Sequence, residues 1–166
     1  MWHARMLTLA SLLVASAGCS SAPANVAGNY SISLTNDANG CMFMNWDGVS
    51  TPGVPLVLTQ NGTAVTGAVG GAGATYFDFV FGSHTFIGNV SGDHIDLVLH
   101  GTAATMVGTC RLMLDAHASV ELVGDTLTNG TITYSYVTNA ASTCPIYTQT
   151  CSSQQLFNGT RPPTAH

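Results

Sequence analysis

Lysine is absent from this 166-residue chain, and arginine occurs only at positions 5, 111 and 161. Beyond the first twenty residues, two guanidinium groups are all the fixed positive charge there is, so nothing can neutralise a run of phosphates and nucleic-acid binding is excluded. Charge of either sign is scarce: 7% of residues are charged, against about 25% in an average soluble domain. The acids, Asp37, Asp47, Asp78, Asp93, Asp96, Asp115, Glu121 and Asp125, are too dispersed for an acidic tail and suit at most a basic partner. No apolar run approaches the roughly 20 residues of a permanent membrane-spanning helix, and residues 27–137 carry no convincing amphipathic helical pattern. The Gly-x-Ser-x-Gly elbow of many hydrolases is missing. Paired short cysteine spacings of a zinc site are missing too, as are the closing glutamate and spaced carboxylates that would make "NDANG" a calcium loop. These absences predict a protein that is not an enzyme and carries no cofactor or metal.

What the chain does have is a beat of two. Tyr30, Ile32 and Leu34 alternate with Ser31, Ser33 and Thr35. The same rhythm puts Val54, Leu56 and Leu58 on one face, then Phe77, Phe79 and Phe81, then Ile95, Leu97 and Leu99. It continues through Cys110, Leu112 and Leu114, through Ala118, Val120 and Leu122, and through Ile132, Tyr134 and Tyr136. Between these runs lie turn signals such as "QNGT", "SGD" and "VGD", short enough to make successive strands antiparallel neighbours. Eight to ten strands with one apolar face each predict an all-β, antiparallel up-and-down β-barrel over residues 28–137, since closure hides the apolar faces and removes the edges together. A β-sandwich is the alternative. Residues 138–166 read as a cross-linked loop, one short helix begun by Ser152 and a tail packed over one end of the barrel.

Two polar clusters invite chemistry. In "HIDLVLH", His94 and Asp96 lie about 6.6 Å apart along a strand and would need His84 or His117 from a neighbour to hold an ion; a polar outer face explains them more simply. Asp93, Asp96 and Asp115 offer carboxylates for sugar hydrolysis, but their spacing singles out no pair. The "NGT" sequons at 61, 129 and 158 read as Asn-Gly turns or barrel corners.

The start of the chain runs from a short segment with His3 and Arg5, through apolar Met6–Val14, to small residues and "SAGCSSAP". That order is a secretory signal, and a cysteine directly after Ala-Gly resembles the signal of bacterial lipoproteins. The resemblance implies a signal peptide at 1–18, acylation (palmitate among the acyl groups) of Cys19, and a flexible tether at 19–27. Because Ser20 replaces the aspartate of inner-membrane retention, it also implies an outer-membrane destination. With Cys19 as anchor, four cysteines remain for two disulfides in an oxidising compartment. Four cysteines allow three pairings; the expectation is that Cys144 and Cys151 staple the C-terminal loop and Cys41 joins Cys110.

The body resembles small lipocalin-like (calycin) barrels. Their Gly-x-Trp strand opening has a counterpart in Gly28-Asn29-Tyr30, and their closing arginine in Arg161 of "FNGTR". That likeness implies a barrel that binds a small apolar ligand, with Tyr30, Phe77, Phe79, Phe81, Phe86, Tyr134 and Tyr136 as candidate ligand-binding residues. The sequence therefore predicts a non-catalytic envelope lipoprotein held on the membrane by its N-terminal lipid. Its partner is a small apolar molecule or an envelope protein, and the alternatives are a protein-interaction or inhibitor module or a structural surface lipoprotein.

Overall fold

The computed structural model describes residues 22–148 and 150–162; the predicted signal and Cys19 lie outside them. The two-residue beat folds as expected. Strands β1 (Gly28–Asn39), β2 (Ser50–Asn61), β3 (Ala64–Val69), β4 (Thr85–Ser91), β5 (His94–His100), β6 (Thr105–Val107), β7 (Cys110–Val123), β8 (Thr126–Thr138) and β9 (Ser153–Thr160) form one antiparallel sheet. Pairing of β5 with β7 and of β1 with β9 closes eight of them into an up-and-down barrel, leaving β6 as a spur on β7. Along β7, alternate residues from Cys110 to Leu122 are buried while the others are half-buried or exposed, so one uninterrupted strand replaces the two short ones that the sequence suggests.

The barrel has two unlike poles. At one pole, termed narrow for its short turns, β2–β3, β4–β5 and β7–β8 are joined by two-residue turns. Each opens on a glycine, Gly62, Gly92 or Gly124, at φ near +60°, the left-handed conformation that type II′ hairpins demand at their first central position. At the other pole, termed wide for its long connections, lie β1–β2, β3–β4, β5–β7 and β8–β9.

Three sequence expectations need correction here. "TYFDFVF" is not a strand but part of helix α1 (Gly71–Phe81), closed by Gly82 in the left-handed conformation, whose N–H donates to the Asp78 carbonyl. The aromatic spacing satisfies both periods, because positions 77 and 81 are two strand steps apart and also one helical turn apart. Phe77 and Phe81 are accordingly buried, and Phe79 points to solvent, 85% exposed. Second, the disulfides are Cys41–Cys151 and Cys110–Cys144. The β1–β2 loop meets the end of the β8–β9 loop at the barrel mouth, and that contact, not proximity in sequence, selects the pairing. Third, the C-terminal region does more than cover an end: in place of a helix after Ser152 stands β9, hydrogen-bonded to both β1 and β8. Two disulfides mark an oxidising, extracytoplasmic environment.

Candidate functional site

The barrel interior is the first place to look for a site, and it is full. Side chains including Leu56, Leu58, Leu97, Val120, Ile132 and Phe157 enclose a void of about 30 Å³ with an entirely apolar lining. Ligand pockets are typically ~300–1,000 Å³, and a void without polar groups does not hold water well. Of the seven predicted ligand-binding residues, Phe86 alone borders this void.

The others are distributed by their elements. Phe77 and Phe81, one turn apart on α1, stack at 5.2 Å, and Phe77 meets Phe86 at 5.8 Å. Phe81 reaches Tyr134 at 6.0 Å. From the β1–β2 loop, Phe43 contacts Tyr134 and Tyr136, and Trp46 stands edge-on to Tyr134. These rings are a stopper in the wide mouth. Phe43 and Trp46 sit in a loop without periodicity, so alternation does not reveal them; "CMFMNW", two rings beside a cysteine, is the available signal. The Tyr134 hydroxyl donates to Gln155 Oε1 at 2.5 Å, and Gln155 Nε2 donates to Asn36 Oδ1 at 2.6 Å. Burial pushes the Tyr134 phenol well above its ordinary value.

Tyr30 lies at the opposite pole. The Arg161 guanidinium covers its ring at 5.5 Å, and its hydroxyl donates to the Val26 carbonyl. Arg161, 8% exposed, donates from Nε to Asp125 Oδ1 at 2.9 Å, from Nη1 to the Ala27 carbonyl and from Nη2 to the Asn25 carbonyl. Gln60 binds the same segment from the other side, accepting from Val26 N–H and donating to the Ala24 carbonyl. Residues 24–27 are therefore strapped across the narrow pole. Burial raises the Tyr30 phenol, with the Arg161 charge opposing it.

On the outer wall, His94 Nε2 lies 3.2 Å from Asp96 Oδ2 and His117 Nε2 lies 3.8 Å from Asp96 Oδ1. Ser119 Oγ is 3.2 Å from His94, but from the same Nε2 that faces Asp96. A Ser-His-Asp relay needs the two ring nitrogens divided between acid and hydroxyl, so this trio has the composition of a triad without its geometry. His100 pairs with Asp115 and His84 with Asp78, each at 2.8 Å, which separates His84 from the His94 group. Among the described residues no three such groups converge on a metal position.

Apolar side chains are exposed on the wall and at the narrow pole too, among them Ile87 and Val123, but the largest exposures lie at the wide pole. Among the described residues the three most exposed large apolar side chains, Met44 (90%), Phe79 (85%) and Ile146 (85%), come from three different connections there. An open hollow of about 490 Å³ lies at the end of β8 on the same pole, lined by Tyr136, Val137, Thr138, Ala140 and Thr148. Comparison with protein-family models, with curated proteins and with solved structures finds no match to this chain.

Proposed function

We propose that this protein is a non-catalytic lipoprotein of the bacterial envelope, anchored to the outer membrane through Cys19, and that it works by binding another protein on its outer surface. The observation that carries the choice of surface over lumen is the 30 Å³ interior void. Moving even a small apolar molecule inside would require core side chains to vacate a packed interior. The His94–Asp96–Ser119 geometry, with one nitrogen serving both neighbours, supports the non-catalytic part.

Denaturing extraction of the folded protein followed by mass spectrometry tests the lumen directly. No stoichiometric small molecule is expected; one apolar ligand per chain would overturn the reading. The anchor is tested separately by incorporation of labelled palmitate, expected in the wild type and lost in Cys19→Ser. Unlabelled wild-type protein would remove the anchor.

A further inference from the structure

We infer that the wide pole is a preformed docking face for a basic protein surface that offers apolar side chains; the inference rests on the protein-binding reading above and gives it a location and a partner chemistry.

Long connections that expose Met42, Met44, Tyr76, Phe79, Met106 and Ile146 to water would ordinarily be mobile and would lose conformational freedom on binding. Here that loss is largely taken at folding. Cys41–Cys151 ties the β1–β2 connection to the β8–β9 connection, and Cys110–Cys144 ties the β6–β7 corner to the same segment. Thr109 and Thr143 hydroxyls add a 2.8 Å bond across that corner. The fourth connection is held by the buried Phe77 and Phe81, and by Thr102 and Ala103 N–H groups donating to the Phe81 carbonyl. An apolar rim held rigid in this way keeps most of the binding energy that loop ordering would otherwise consume. Met and aromatic side chains are also those enriched in interface cores.

Charge selects the occupant. Asp37, Asp47 and Asp78 are exposed around this rim, Arg111 is its one guanidinium, and lysine is absent. A second copy would bring the same acids face to face, and an anionic bilayer would be repelled, whereas a basic partner is attracted and steered in. The proposed anchor also enters at the opposite pole. Ala24 is strapped to the narrow pole, with its N–H donating to the Gly92 carbonyl, and five residues from Cys19 to Ala24 span at most about 17 Å. A lipid on Cys19 would therefore lie nearer the narrow pole than the wide one.

The full chain as purified from an expressing bacterium, titrated calorimetrically with an 18-residue Lys/Leu amphipathic peptide and with its Glu/Leu counterpart, tests the inference. The cationic peptide is expected to bind and the anionic one not to. The rim variant Met44→Ser/Phe79→Ser is expected to weaken binding at least tenfold, and the wall variant Ile87→Ser/Leu156→Ser to change it less than twofold. Equal loss in both variants, wild-type affinity in the rim variant, or equal binding of the two peptides would overturn it. So would self-association in sedimentation, or adsorption to phosphatidylcholine vesicles, that the rim substitutions abolish, since either identifies a different occupant. The titration does not need the lipid, so an unlipidated product fails the anchoring reading alone. A stoichiometric lumenal ligand fails the surface reading independently.

Discussion

The narrow and wide poles close the same cylinder by different chemistry. At the narrow pole the backbone does the work through three two-residue turns, and one arginine binds the entering segment by its carbonyls. The wide pole has long connections that cannot close by turn geometry, so it relies on two disulfides and an aromatic stopper. A pole made of tight turns leaves little surface to vary. One made of cross-linked loops can carry uncovered apolar groups without unravelling, which is why the binding face is assigned there.

The comparison can be broken at the wide pole first. Replacing Cys41 and Cys151 by serine opens a loop of 110 residues and is expected to lower the unfolding free energy by about 4–5 kcal/mol in the chain-entropy model, read from the urea midpoint. The stopper comes next: Phe81→Ala is expected to cost about 4 kcal/mol through the cavity it leaves. Phe79→Ala, two residues away but solvent-facing, is expected to stay within about 0.5 kcal/mol. At the narrow pole, Arg161→Ala leaves the Asn25 and Ala27 carbonyls and Asp125 without their shared donor, a loss of about 3 kcal/mol. Faster proteolysis near residues 24–27 is expected to accompany it.

The smallest effect concerns pH. Tyr30 and Tyr134 titrate above their ordinary value in the folded state. Above about pH 10 the unfolded chain therefore releases phenolic protons that the folded one keeps. The unfolded state then binds fewer protons, so stability falls as pH rises from there, and is undiminished by these groups below it. Tyrosinate absorbance followed alongside circular dichroism should show the Tyr134 signal arriving only with unfolding. Its appearance in a still-folded protein would contradict the packing around that ring.

The strands were legible because alternation and Gly-led turns are local and redundant: Ile95, Leu97 and Leu99 between "SGD" and a polar face admit little else. Helix α1 was not, because Phe77 and Phe81 satisfy both periods and only the need to cross the wide mouth decides between them. β9 was hidden because its inward face is made of Ser153, Gln155, Phe157 and Gly159, of which one is large and apolar. Gly159 is required there: a Cβ would fall 2.5 Å from the Ile32 side chain. The cysteine partners were illegible since pairing depends on which loops meet at the mouth. For the same reason the site was half visible. The rings were found, but not that they fill the barrel mouth and leave Phe79 outside.

Because β9 is both the final strand and the neighbour of β1, no partial chain can complete the cylinder. Until residues 153–160 have left the ribosome, β1 and β8 each present a bare edge, and the earliest strand must wait for the latest. The cylinder shuts only once those residues have paired with both neighbours. A chain lacking Ser153–Thr160 would lose the seam of the whole molecule.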